Sequence, residues 1–216
     1  MPTTHLIPKA ISDLYEVHEW RNATGVLSTA HPAEWEDVQH ALRTFTLLRS
    51  EIMKRGGRKS LISIRFDSLL IDRGWVEKEF DTAITIDKVE RKSPTHKVDC
   101  YKNAVALEVE WNNKTEFYDR DLNNFRLLYD LRAIDVGIIV TRSSHLQRIF
   151  AQLGRGNSYG ASTTHIDKLL PRLEGGSGGG CPILVFGITE RLYKEDEIPP
   201  DAAGPDPGDA GAEESE

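Results

Sequence analysis

At 216 residues, with 39% hydrophobic side chains and four Trp, the chain is sized for one domain with a substantial core. No apolar run reaches the roughly 18 residues of a membrane helix, and residues 1–10 lack the apolar centre of a signal peptide, so a cytoplasmic protein is expected. The net charge of −7 misleads as an average: residues 195–216 carry nine acids and no Lys or Arg, leaving 27 basic against 25 acidic residues over 1–194. That balance permits a basic groove without demanding one.

The first quarter reads as helix. Over residues 34–54, Trp35, Val38, Leu42, Phe45 and Leu48 recur at three- and four-residue steps behind Pro32, a favourable first helical residue. After Gly56-Gly57 the period changes. Residues 60–66 alternate, with Leu61 or Ile62, then Ile64 and Phe66, as in a strand. Residues 72–80 read as a helix on which Glu77 or Glu79 could add a carboxylate to a site or simply face solvent. Residues 83–86 are short and rich in β-branching.

Strand character returns over 102–111, followed by a helix over 119–132 with Leu122, Phe125, Leu128 and Leu131 on one stripe. Its early acids, Asp119 and Asp121, suit the positive end of a helix. Residues 136–141 form a buried-strand run, 144–153 and 165–173 read as helices, and 183–188 as a last strand. Gly175 to Gly180 is a loop between ordered elements. Strands separated by crossing helices predict an α/β domain, a mixed central sheet flanked by helices. That domain spans residues 1–194. The Pro-, Gly- and acid-rich segment 195–216 cannot bury enough apolar surface to order itself and is expected to be disordered. Cys100 and Cys181 match no zinc spacing and read as reduced, buried thiols.

The informative stretch runs from Asp99 to Trp111. As a strand, 104–111 places Val105, Leu107, Val109 and Trp111 on one face and Ala104, Ala106, Glu108 and Glu110 on the other. Two carboxylates on one face repel, and partial burial raises that cost. Mg²⁺ would offset it, since it takes hard oxygen ligands and is commonly held by one or two carboxylates plus a substrate phosphate. A tight turn would bring Asp99 opposite, completing a cup suited to metal-assisted attack on a phosphodiester. Solvated carboxylates on an exposed strand are the alternative, because Asp-x8-Glu-x-Glu is not rare among 34 acids.

Asp99-x8-Glu108-x-Glu110 resembles the PD-(D/E)XK nuclease motif in the form found in restriction endonucleases of the BglII and BamHI type. The runs Ala106-Leu-Glu-Val-Glu-Trp-Asn-Asn-Lys-Thr-Glu-Phe-Tyr-Asp-Arg-Asp-Leu-Asn-Asn-Phe125, Val136-Gly-Ile-Ile-Val-Thr-Arg142 and Tyr159-Gly-Ala-Ser-Thr-Thr-His165 carry the likeness further. With Gly56-Gly57-Arg-Lys-Ser60 and Gly180-Cys-Pro-Ile183, they extend it over about residues 10–194. The resemblance implies a restriction-endonuclease-like core and a homodimer around double-stranded DNA at a short palindromic site. It also implies Mg²⁺-dependent hydrolysis of one phosphodiester per strand within a restriction–modification system. Asp99, Glu108 and Glu110 would be catalytic, with Asp99 and Glu108 as metal ligands. Glu110 occupies a position often held by Lys and would act as general base or further ligand. Val98 replaces the usual Pro.

For DNA contact the candidates are Asn112, Asn113 and Lys114 beyond the strand, Arg142 and Ser143 at a neighbouring strand end, and Tyr159, Ser162, Thr163 and His165 in a polar loop. The Asn pair could equally form a turn. Ser143 or Ser144, and Thr163 or Thr164, could merely start helices. Two other functions compete: a repair-type or low-specificity nuclease on the same core, and a non-catalytic DNA-binding protein.

Overall fold

The computed structural model of the chain describes residues 3–54, 59–92 and 95–197. Gly56-Gly57-Arg58 and the acidic segment beyond Glu197 lie outside the described residues. Just before that segment, Asp196 accepts hydrogen bonds from the Ser50 amide at 2.9 Å and the Ser50 hydroxyl at 2.5 Å.

After a 3-10 turn (Thr4–Leu6) come helix α1 (Lys9–Ser12), strand β1 (Tyr15–Trp20) and helices α2 (Ala23–Ala30) and α3 (Pro32–Thr44). Pro32 opens α3, where its missing N–H costs no helical bond. The single helix expected over 34–54 is in fact broken. Phe45 turns extended (φ −65°, ψ 141°), and Leu47–Leu48 forms a two-residue strand, β2, before helix α4 (Arg49–Met53). Pairing of Leu47 and Leu48 with Tyr193 and Lys194 fixes that break by a contact remote in sequence.

Residues 60–66 are not a strand but the start of helix α5 (Leu61–Ile71), capped by the Ser60 hydroxyl, which accepts from the Ser63 amide at 3.0 Å. Over seven residues both periods fit. The full helix resolves the ambiguity, because Ile62, Ser63, Phe66, Asp67 and Leu70 are buried at helical steps while Ile64 is 48% exposed. The helix expected over 72–80 is likewise corrected. Gly74, at φ +86°, ends the helical path, and strand β3 (Val76–Lys78) follows. Glu77 lies on that strand and pairs with Lys97 at 3.2 Å in solvent.

Strands β4 (Ala83–Ile86) and β5 (Val89–Lys92) make a separate hairpin. Strands β6 (Val98–Lys102) and β7 (Val105–Val109) are joined through Asn103 and Ala104, both at positive φ (43° and 64°), the twist that a tight hairpin requires. The remainder is helix α6 (Glu116–Asp130), strand β8 (Val136–Arg142), a 3-10 turn (Ser144–Leu146) running into helix α7 (Gln147–Gln152), helix α8 (Ile166–Glu174), strand β9 (Ile183–Ile188) and strand β10 (Tyr193–Lys194).

Six strands form one mixed sheet in the order β1-β9-β8-β7-β6-β3, with β7, β8 and β9 parallel at its centre and the others antiparallel. The architecture is the predicted α/β one. Val105, Leu107, Val109 and Trp111 share a core with α3 and α5, while Ala106 faces Tyr118, Leu122, Phe125 and Leu128 of α6. Leu131, expected on that stripe, is 42% exposed because α6 ends at Asp130. Ala106 and Gly137 are register partners, and a Cβ on Gly137 would overlap the Phe125 ring. Small residues on adjacent strands thus let α6 lie close over the sheet. Cys100 and Cys181 are buried and unpaired with each other, and burial pushes the Cys181 thiol up to about 12.

Candidate active site

The hairpin brings two of the predicted carboxylates together. One step beyond the Cys100↔Leu107 pair, the Asp99 amide donates to Glu108 Oε2 at 3.3 Å, and Asp99 Oδ2 accepts from the Val109 amide at 3.4 Å. Glu108 is 1% exposed, and its Oε1 has no hydrogen-bond partner among the described residues. A buried carboxylate oxygen without a donor costs the fold its desolvation energy. Desolvation first, then the charges of Asp121 and Asp99, push the Glu108 pKa well above the usual carboxylate range.

Glu110 follows on the same side of the chain and is 2% exposed. Its Oε2 accepts from Asn113 Nδ2 at 2.7 Å, and its Oε1 lies 3.3 Å from Arg120 Nη2. Burial, followed by the negative charge of Asp121, raises its pKa to about 9. Asp121 is a residue that sequence reasoning placed at a helix start and nothing more. In the fold it is 1% exposed, within hydrogen-bond reach of Glu110, with Oδ1 held by Arg120 at 2.8 Å and Oδ2 without a donor. The missed signal was its place three residues after Tyr118 and four before Phe125, on the buried face of α6.

A second group flanks Asp99. Lys59 Nζ lies 2.7 Å from Asp99 Oδ1 and 2.7 Å from Asp67 Oδ2. Burial raises the Asp67 carboxyl to about 6, against the pull of Lys59. Among the described residues no three His, Cys, Asp or Glu side chains converge as a ready metal cage. Lys59 occupies an oxygen of Asp99, and Arg120 occupies oxygens of Glu110 and Asp121. The donor set nevertheless fits a hard cation. It is all carboxylate oxygen, it includes two buried oxygens without donors, and Glu108 already accepts from the Asp99 backbone amide.

The DNA candidates divide by burial. Lys114 and Ser162 are exposed, and Asn112, Asn113, Thr163 and His165 are half-buried. Asn112 adopts a positive φ of 56°, and Asn113 bonds Glu110 and Thr164, so this pair builds the turn as well as lining the centre. Ser143 is buried, starts the 3-10 turn by accepting from His145, and donates to Glu16 Oε2 at 2.8 Å. Tyr159 is 5% exposed and stacks on Phe150 at 4.1 Å between ring centroids.

Arg142 is 1% exposed, and its Nη2 reaches the Tyr159 carbonyl at 3.1 Å and Thr163 Oγ1 at 3.0 Å, tying the polar loop to β8. No carboxylate pairs with it among the described residues, its Nε has no acceptor, and burial lowers its pKa to about 10. It lines a cavity of about 270 Å³ with Ser144, Gln147, Ala161 and His165. Ser144 Oγ and His165 Nδ1 are 3.1 Å apart there.

A mixed sheet that sets buried acids at the end of β7 and a buried arginine at the end of the adjacent β8 suits the hydrolysis of a phosphodiester. A family model described as restriction endonuclease BglII/BglIII matches residues 15–188, and the chain belongs to that family. Membership makes it a site-specific, DNA-hydrolysing enzyme. No curated protein matches the chain individually.

Proposed function

We propose that the protein is a Mg²⁺-dependent type II restriction endonuclease, acting as a homodimer on a short palindromic duplex site within a restriction–modification system. The observation that carries this reading is Glu108, a buried carboxylate with one donorless oxygen and the other accepting from the Asp99 backbone amide. Asp99 and Glu108 would hold the cation, which when bound polarises the phosphodiester and favours attack by water. Glu110 takes the proton of the attacking water or serves as a further ligand. As a base it must be ionised, a form that Arg120 favours and that Asp121 opposes. Lys114 and Ser162, both exposed, with half-buried Asn112, Asn113, Thr163 and His165, supply contacts to the duplex. Arg142, Ser143 and Tyr159 hold the loop and strand end in place, and Arg142, which also lines the cavity, would contact DNA from there.

The deciding experiment digests a plasmid of known sequence with Mg²⁺, with and without chelator, and maps the ends. Discrete fragments that vanish with chelator, and with Glu108→Ala in a folded protein, are expected. A smear would favour a low-specificity nuclease. Specific binding without cleavage by the wild-type chain would leave a non-catalytic DNA-binding protein.

A further inference from the structure

Lys59 has no role in the chemistry above, yet it touches the centre. Its Nζ sits midway between two carboxylates, 2.7 Å from each, with 41% of its side chain exposed. One of them, Asp67, is a fixed post: its side chain is 5% exposed on the buried face of α5, and Cys100 Sγ donates to it at 3.6 Å. Lys59 also precedes Ser60, whose cap anchors the backbone at the head of α5.

The charge balance makes this lysine conspicuous. Asp99, Glu108, Glu110 and Asp121 face a substrate that is itself anionic, and Glu110 adds no positive charge at its place beyond β7. Only two cations touch these acids among the described residues. Arg120 is fixed, bonded to Asp121 at 2.8 Å, near Glu110 at 3.3 Å and stacked over the Phe117 ring at 4.3 Å. Lys59 is the adaptable one, a point charge with three donors on a flexible stem.

We propose that Lys59 is a catalytic residue that contacts the scissile phosphate. With Asp99 engaged by a divalent cation, its ammonium leaves Asp99, keeps Asp67 as anchor, and donates to a non-bridging phosphate oxygen. There it offsets the negative charge that builds as water attacks phosphorus, without giving up a proton. The same ammonium competes with a metal ion for Asp99, so its removal has two effects of opposite sign.

This inference rests on the nuclease reading, and its test separates the two. Full-length wild type, Lys59→Met, Lys59→Arg and Lys59→Ala are compared in single-turnover cleavage of a duplex bearing the mapped site, with Mg²⁺. The same proteins without DNA are titrated with Mn²⁺ and followed by electron paramagnetic resonance. Lys59→Met should cleave at least about 100-fold more slowly, yet bind Mn²⁺ as tightly as wild type or more tightly. Lys59→Arg should fall between, and added ethylamine should speed Lys59→Ala saturably. Lys59→Gln replaces the Met variant if the latter does not fold. Cleavage by Lys59→Met at the wild-type rate would overturn the assignment. So would a loss of Mn²⁺ affinity that parallels the loss of rate, which would mean that Lys59 acts only by arranging Asp99. A wild-type protein that cuts no duplex removes the nuclease reading itself, and this assignment with it.

Discussion

Two neighbouring strand ends carry buried ionisable groups of opposite kind, acids at one and a base at the other. At the end of β7, Glu108, Glu110 and Asp121 are each no more than 2% exposed, and two of their oxygens lack donors. Beyond them, at the end of β8, Arg142 is 1% exposed with no carboxylate partner among the described residues. The two do not neutralise each other, since Glu110 and Asp121 are instead matched by Arg120, which comes from α6. A fold selected for stability alone would pair or remove such groups. The anionic end suits a cation, and the cationic end suits an anion or a base edge. Asp37 differs: it is met by Trp75 Nε1, Lys102 and Arg73 and holds the fold without a ligand.

The sharpest way to break this comparison is Glu108→Gln. The amide keeps shape and neutrality but cannot bind a cation as an anion, so cleavage should fall at least about 100-fold. The metal-free melting temperature should hold or rise, as read by circular dichroism. A variant that loses melting temperature along with activity would make Glu108 a structural group. Next in size is Arg142→Met, which fills the same space without charge. If Arg142 also reads DNA, affinity for the cognate duplex in Ca²⁺ should drop by about 10- to 100-fold. Affinity equal to wild type in a filter-binding titration would confine Arg142 to tying Tyr159 and Thr163 to the strand.

Much of the anionic end was legible in sequence because it lies on one hairpin. Alternation from Val105 to Trp111 sorted core from site, and the register then set Asp99 beside Glu108. The groups that complete it arrive from helices distant in sequence. Asp67 and Lys59 come from α5 and its approach, a segment whose first seven residues satisfy the strand period as well as the helical one. Asp121 sits among apolar residues whose regular spacing drew attention to the stripe rather than to the acid within it. The cationic end was legible only in part. Arg142 could be placed at a strand end, but its burial depends on Phe150 and Tyr159 meeting over it, a contact no local pattern encodes. The break at Phe45 was hidden for a similar reason, since the strand that causes it pairs with residues near the C-terminal end of the described chain.

Gly137→Ala sharpens the comparison from beneath. The added methyl meets the Phe125 ring, so α6 must shift, and overpacking of this kind costs about 1–3 kcal/mol. Because α6 carries Arg120 and Asp121 but not Arg142, Mn²⁺ affinity should weaken while metal-free DNA affinity stays near wild type. Denaturant melts and the two titrations check this, and equal weakening of both would show that the two strand ends respond as one unit.

The smallest expected effect is a pH slope. The Glu110 carboxyl ionises near its ordinary 4.5 in the unfolded chain and at about 9 in the folded one. Between those values the folded protein binds more protons than the unfolded, so metal-free stability should fall as pH rises from about 4.5 to about 9 and level off beyond. Glu108 and Asp121, shifted the same way, add to the slope. A divalent ion stabilises the ionised carboxylates, so saturating Ca²⁺ should flatten the curve, and Glu110→Gln should flatten it partly without any metal. Arg142→Met should leave it unchanged, because the Arg142 pKa, though lowered to about 10, lies above that window. Thermal melts across the range decide the matter: a metal-free curve that rises toward pH 9 would mean that the buried acids are compensated by protein charge and are not held open for a cation.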